Sequence, residues 1–285
     1  MAVQIVTDST VDIPDEFFKD LNIRVVPIYL RFGEKTFQDG VNISKKEFYS
    51  MLISSPVHPT TAQPNPEDFI NVYKEYCDNQ KGVVSIHISS KISGTYNSAT
   101  IAKKAMDSPC QIEIIDSKLN SGGLGLVVLA GARMAQAGAS LAEVVDEVNR
   151  AVNEVKMFGL FETMKYLARG GRINKTVAMA SNVLNVMPLL TFDDGEIVRA
   201  GLVRSINQGM DRIYDFVKNN VPITELFLVH SKVEDRAILL RDRLGEFIQE
   251  EKITITELGA GLGVHGGPDV LLVAIRQDRD NDINI

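Results

Sequence analysis

The residues of this chain best suited to chemistry are hydroxyls and carboxylates gathered where apolar runs end. Ser89, Ser90, Ser93, Thr95 and Tyr96, with Gly94 among them, follow the strand-like run Val83 to Ile88 and precede a helical pattern from Asn97 to Met106. Hydroxyls and backbone N–H groups at a strand's carboxyl end and a helix's amino end make a pocket for an anion. Two further segments finish alike: Gln4, Ile5 and Val6 run into Thr7, Asp8, Ser9 and Thr10, and Ile112 to Ile115 run into Asp116, Ser117 and Lys118. Asp8 and Asp116 can equally cap turns or orient a neighbouring Ser or His, and neither is assigned as catalytic.

Reactive motifs that these segments approach are each incomplete. Asp8-Ser9-Thr10 starts like a haloacid-dehalogenase-type phosphatase loop, but Thr10 stands where that chemistry needs a second carboxylate. Gly122, Gly123 and Gly125 do not make G-x-G-x-x-G, and their spacing suits a tight turn or close helix packing. Lys175-Thr176 ends a near P-loop whose required glycine is Asn174. Ser93 has Lys91 where a nucleophile elbow has glycine. The hydroxyls therefore read as groups that bind rather than attack.

The elements that position them alternate. Strands at Val3 to Val6 and Val25 to Leu30 and helices at Pro14 to Asp20, Lys45 to Ile53 and Pro66 to Cys77 precede the two strand–helix units above. Such alternation implies a parallel sheet covered on both faces. His58 to Glu67, broken by Pro59, Pro64 and Pro66, reads as an ordered loop. A helix from Leu141 to Val155 closes a first domain, 1–157, of α/β type. The second, 158–285, reads as α+β with a mixed sheet: strands at Phe158 to Phe161, Leu189 to Phe192, Ile197 to Val203, Leu226 to His230, Ile253 to Leu258 and Val270 to Ile275, with Asp194-Gly195 as a hairpin turn. Helices are expected over Thr163 to Ala168, Thr176 to Asn185, Gln208 to Asn219 and Glu234 to Gln249. Residues 25–43, read as paired strands, are free to pack on the second lobe.

Composition limits the function. With 285 residues, 45% hydrophobic and 24% charged, and a net charge of -7, the chain reads as a soluble two-lobed protein with no general affinity for nucleic acid. Its most apolar stretch, Leu124 to Ala132, is too short to span a bilayer. Cys77 and Cys110 have no metal-ligand spacing and suggest no disulfide framework, so a reducing cytoplasm is expected.

Five separated motifs occur in order: Thr60-Thr61-Ala62-Gln63-Pro64; Ser89 to Tyr96; Asp116-Ser117 leading to Ser121-Gly122-Gly123-Leu124-Gly125; Tyr166-Leu167 with Gly170-Gly171-Arg172-Ile173; and Gly261, Gly263, His265, Gly266, Gly267 and Pro268. The series resembles the DegV family, whose members include the fatty-acid-binding subunit of bacterial fatty acid kinase. The resemblance implies two domains with a long-chain fatty acid buried between them as ligand, and no cofactor or metal. By motif position, Thr61 and Ser93 would donate to the carboxylate, Gly94 would admit a close backbone N–H, and His265 would complete the network. Ala62 stands where the family commonly has serine. A buried carboxylate is tolerated only when its lone pairs are satisfied. At roughly 0.8 kcal/mol per methylene, burial of a long tail would contribute at most about 10 kcal/mol.

Walls for that tail are expected from Phe158, Phe161, Met164, Met179, Val183, Leu184 and Met187, in segments rich in adaptable methionine. Lys165, Arg169, Arg172 and Lys175 recur without an intervening acid in an acidic chain. On the family reading, a separate ATP-dependent kinase phosphorylates the bound acid and an acyltransferase receives the acyl-phosphate. Arg169, Arg172 and Arg204 would then face a phosphoryl group or the kinase, and this chain would be no enzyme and need no ATP site. The chain would lack a transmembrane segment, though transient membrane contact fits its role. The competing reading is a small-metabolite enzyme acting on a carbonyl or phosphorylated triose through His265, prompted by the fold's resemblance to dihydroxyacetone kinase domains. His58, His87 and His230 are read as structural or surface residues.

Overall fold

The computed structural model describes residues 3–77, 82–107, 110–172 and 186–277. From its amino end the chain runs through β1 (Val3–Asp8), α1 (Asp15–Asp20), β2 (Ile23–Val26), β3 (Tyr29–Phe32), β4 (Lys35–Gln38), α2 (Lys45–Ser54), β5 (Thr60–Ala62), α3 (Pro66–Cys77), β6 (Gly82–His87), α4 (Thr95–Ala105), β7 (Ile112–Asp116), α5 (Ser121–Gln136) and α6 (Leu141–Glu154). It continues with β8 (Val155–Phe161), α7 (Lys165–Gly170), β9 (Met187–Asp193), β10 (Glu196–Val203), α8 (Ile206–Lys218), β11 (Ile223–Ser231), α9 (Glu234–Leu244), β12 (Ile253–Glu257), α10 (Ala260–Gly266) and β13 (Val270–Gln277). The helix expected over Thr176 to Asn185 lies outside the described residues.

A parallel sheet in the order β2-β1-β6-β7 brings the three hydroxyl-rich strand ends to one edge. A separate mixed sheet runs β10-β9-β8-β13-β11-β12, with only the β11–β12 pair parallel. Between them lies α5, whose residues 121 to 132 are all buried. A helix enclosed on every side is apolar on every side, which is why this stretch has no polar face. Its glycines are spacers: a Cβ on Gly122 would come within 2.9 Å of Val229, and one on Gly131 within 2.6 Å of Val148. By contrast α6 has an ordinary buried stripe, Val144, Val148 and Ala151, and starts in a capping box of Ser140 and Glu143.

A small antiparallel sheet, β4-β3-β5, joins the lobes. Leu30, Phe32 and Ile43 pack with Phe48, Tyr49 and Leu52 of α2 and with Ala260 and Val264 of α10. Two expectations are corrected here, and one motif takes a defined shape. The proline-rich loop contains β5, which pairs Leu30 with Thr61, because Pro59 and Pro64 fall outside the paired residues. The glycine-rich run around His265 is the helix α10, made necessary by packing: a Cβ on Gly263 would lie 2.6 Å from Phe48. Finally, Cys77 and Cys110 are bridged, with their Cα atoms 5.3 Å apart, since α3 ends beside the approach to β7.

Candidate functional site

A cleft opens where the parallel sheet's strand ends, β5, α10 and the inner face of the mixed sheet converge. Its cavity volume is about 80 Å³, within about 780 Å³ of space that includes solvent at its mouth. The space is therefore narrow. Its wall is largely aliphatic, with Ile28, Ile88, Ile92, Ile197, Leu258, Leu262, Val270 and Leu272 beside Phe161, and it carries the polar side chains of Thr10, Thr61, Gln63, Ser93, Asn120, Arg172 and His265.

Polar side chains from three chain segments line the cleft. Thr61 Oγ1 on β5 lies 2.9 Å from His265 Nε2 on α10. Ser93 Oγ is 2.9 Å from Thr95 Oγ1 and accepts from Thr95 N at 3.3 Å, in the turn that starts α4. Gly94 is in contact with the Gln63 side chain, whose Nε2 would be 2.6 Å from a Cβ there. Its smallness thus admits an amide side chain, where the motif suggested a close backbone N–H. His265 Nδ1 is buried without a hydrogen-bond partner and faces Gly170 so closely that a Cβ could not fit. Burial lowers the His265 pKa to about 4, helped by the charges of Arg172 and His58. The imidazole is neutral near pH 7, so the cleft presents hydroxyls and an uncharged ring, aided by the nearby Arg172 guanidinium.

The other end of α10 is fastened by two carboxylates. Asp12 accepts from Gly259 N at 2.7 Å and from Ser121 Oγ at 2.6 Å. Asp39 accepts from Gly261 N and Ser9 Oγ, each at 3.1 Å. Burial pushes both pKa values up to about 6; the charge of Lys45 and the bonds to Ser121 and Gly259 offset it at Asp12, and the Gly261 N–H offsets it at Asp39.

Asp8, His87 and Ser85 form a chain reminiscent of a hydrolase triad, with 3.0 Å from Asp8 Oδ2 to His87 Nδ1 and 2.7 Å from His87 Nε2 to Ser85 Oγ. Ser85 is wholly buried and takes the Tyr73 hydroxyl at 2.8 Å, so no substrate can reach it. Asp8 also accepts from Thr10 N and Thr10 Oγ1. It caps a turn and orients a histidine at once.

Among the expected tail contacts, Phe161 lines the cleft. Phe158 and Met187 do not: they face the mixed sheet's other side, where Phe158 stacks on Phe216 at 5.0 Å between centroids. Alternation along β8 sends Met157 and Phe161 inward and Phe158 and Leu160 outward. Met164 is buried in the central core and is not on the wall. Met179, Val183 and Leu184 lie outside the described residues, as does Lys175. Arg172 lines the mouth and donates to Gly170 O at 2.6 Å. Arg169 is exposed beside His58, whose pKa falls through burial and the charges of Arg169 and Lys165. Arg204 sits before α8, off the wall, with its backbone N–H on Gln208. Thr10, Ile28, Ile88, Asn120 and Ile197 are wall residues that sequence reasoning missed. For Thr10, Ile88 and Asn120 the signal was available, because each ends or follows a strand of the parallel sheet.

The model for the family described as an uncharacterised protein family, DegV, matches residues 2–278. The chain belongs to the DegV family. A DegV domain-containing protein of Caldanaerobacter subterraneus subsp. tengcongensis is 36% identical over 270 residues, covering 94% of this chain and 96% of its relative. Among solved structures, a fatty-acid-binding DegV family protein from Thermus thermophilus superposes with a TM-score of 0.89 at 31% identity, covering 97% and 100% of the two chains. A stearic-acid-binding protein from Eubacterium ventriosum gives a TM-score of 0.86 at 26% identity, with 96% and 98% covered. The DegV fold thus accounts for the paired sheets and the cleft between them. Among the described residues, no helix is long and apolar enough to cross a membrane, and no cluster of metal-ligating side chains occurs.

Proposed function

We propose that this DegV protein is a fatty-acid carrier, with the acyl tail along the aliphatic cleft and the carboxylate held by Thr61, Ser93 and His265. The observation that carries this reading is the cleft's chemistry: a narrow aliphatic wall with Thr61 bonded to a neutral His265 and the Ser93 hydroxyl lining the same space. Gly94 belongs to the same turn and supports it by giving Gln63 its place. The fatty-acid-binding relatives add weight. A carboxylate placed beside His265 raises the pKa of the imidazole, so binding takes up a proton. Affinity then rises as pH falls below the pKa of the complex, until the free fatty acid's own carboxyl takes up protons.

The finer reading is that a separate kinase transfers the γ-phosphoryl group of ATP to a carboxylate oxygen, releasing ADP and leaving an acyl-phosphate for an acyltransferase. On this reading Arg172 at the mouth, the exposed Arg169 and Arg204 would meet that partner. In this role the chain is not itself an enzyme, works in the cytoplasm and touches membranes only transiently. In a reducing cytoplasm Cys77 and Cys110 would stand as neighbouring thiols. The small-metabolite reading through His265 has less support, since an aliphatic wall wastes the donors and acceptors of a triose and a neutral imidazole of such low pKa is a weak base.

The test is mass spectrometry of a solvent extract from protein purified without added lipid. Near-stoichiometric fatty acid is expected, depleted in Thr61→Ala with Ser93→Ala. Failure of the unaltered protein to load added palmitate or oleate would overturn the carrier reading.

A further inference from the structure

We infer that Ser89 is a positioning residue for the Ser93 hydroxyl, held in place by the β9–β10 hairpin, so that carboxylate binding by the first lobe depends on a contact made by the second. The inference rests on the fatty-acid reading above and deepens it by assigning how one of the carboxylate's donors is aimed.

Ser89 follows the last residues of the β6 run and is fully buried. Every polar atom it has is bonded. Its N–H donates to Leu119 O at 2.9 Å, and its carbonyl accepts from Ile92 N and Ser93 N, each at 3.1 Å. Its Oγ accepts from Lys91 N at 3.2 Å and donates to Gly195 O at 2.7 Å. Ser93 thus hangs from Ser89 by its own amide, and both Ile92 and Ser93 reach the cleft. The local bonds fix Ser93 relative to Ser89. The bonds to Leu119 and Gly195 fix Ser89 relative to the rest of the molecule.

Gly195 is suited to that contact in two ways. β9 ends at Asp193 and β10 begins at Glu196, so Asp194 and Gly195 form the turn, with φ of 42° and 85°, the left-handed pair that tight hairpins use. A Cβ at Gly195 would fall 2.6 Å from Ser89 Oγ, so the hairpin comes this close only because glycine is there. Its carbonyl matters as much as its smallness: the proton of a buried hydroxyl has to find an acceptor, and Gly195 O is that acceptor. Asp194 adds an exposed ion pair with Lys118 at 2.6 Å, next to Leu119, the other partner of Ser89. Two residues beyond Gly195, Ile197 joins the cleft wall, so the hairpin that holds the turn continues into the surface against which a tail would lie.

A hydrogen bond to a carboxylate weakens steeply as the donor leaves its best angle. A serine whose support is loosened still offers its hydroxyl, but at a worse angle. The ligand's charged end is then affected and its chain is not.

The test is a mutant cycle on delipidated protein, titrated with stearate and, separately, with stearyl alcohol, which has the same chain and no carboxylate. Ser89→Ala is expected to weaken stearate by about three- to tenfold and to leave stearyl alcohol unchanged. In a Ser93→Ala background, where no hydroxyl is left to aim, Ser89→Ala should cause no further loss of stearate affinity. Gly195→Ala presses a methyl onto Ser89 Oγ from the other lobe. It should reproduce the pattern, and it supplies the reading if Ser89→Ala does not fold. Unchanged stearate affinity in these variants, equal losses for the two lipids, or a loss that multiplies with that of Ser93→Ala would overturn the positioning role and leave the carrier reading standing. No binding of stearate by the unaltered protein would overturn both.

Discussion

The two ends of α10 are finished in opposite ways. Before its first turn, Asp12 and Asp39 take the Gly259 and Gly261 amides, and each carboxylate is further bonded by a serine. At its last turn, His265 has one nitrogen against Thr61 and the other without a partner. The first end commits its polar groups to the protein; the second keeps them for something else. A site of this kind is rigid where it is attached and unsatisfied where it acts, and the short helix transmits one property to the other.

The contrast is broken most strongly at the acting end. Thr61→Ala with Ser93→Ala should remove two charge-assisted bonds to a bound carboxylate, about 3 to 4 kcal/mol of affinity, while chemical denaturation shifts by no more than about 1 kcal/mol. Stearate titration and urea midpoints on the same preparations check both halves. At the attached end, Asp12→Ala strands the Gly259 N–H and the Ser121 hydroxyl and should cost about 3 kcal/mol of stability, read in the urea midpoint. Gly170→Ala drives a methyl into His265 Nδ1. The ring must shift, stability should fall by about 1 to 3 kcal/mol, and stearate affinity should fall with it.

Acidity separates the ends more gently. Between pH 3.8 and about 6 the folded protein retains protons on Asp12 and Asp39 that the unfolded chain has released, so these groups stabilise at low pH and lose effect as pH rises. His265 acts the other way: between about 4 and 6.5 the unfolded chain takes a proton the folded ring refuses, so stability rises with pH. Burial lowers His58 and His230 in the same direction. Denaturation midpoints at pH 4.5 and 6.5 should therefore climb more steeply in Asp12→Asn with Asp39→Asn than in the unaltered protein, and less steeply in His265→Gln.

Much of this was legible in the chain. Polar residues ending apolar runs, as in Val83 to Ser93, announce a parallel sheet and the edge where ligands gather. The five ordered motifs contain both Thr61 and His265, which touch although they stand 204 residues apart. What escaped was decided by packing at a distance. No local rule distinguishes Phe158 from Phe161 until the sheet has two covered faces. Nor does composition reveal that Gly261 and Gly263 belong to a helix, because the reason is the bulk of Ile28 and Phe48 on other elements. Proximity of Cys77 and Cys110 likewise depends on where α3 and β7 meet.

Helix α5 has one more consequence. It follows the last strand of the parallel sheet, yet its glycines touch Phe227, Val229 and Ala274 in the mixed sheet as closely as Gly131 touches Ile5 and Ile86 in its own. Neither half can be lifted away without baring a helix that has no polar side to turn toward water. The molecule should therefore melt in a single cooperative step, and a polypeptide ending at residue 157 should be recovered as aggregate, its fate set by one strand–helix unit that serves two owners.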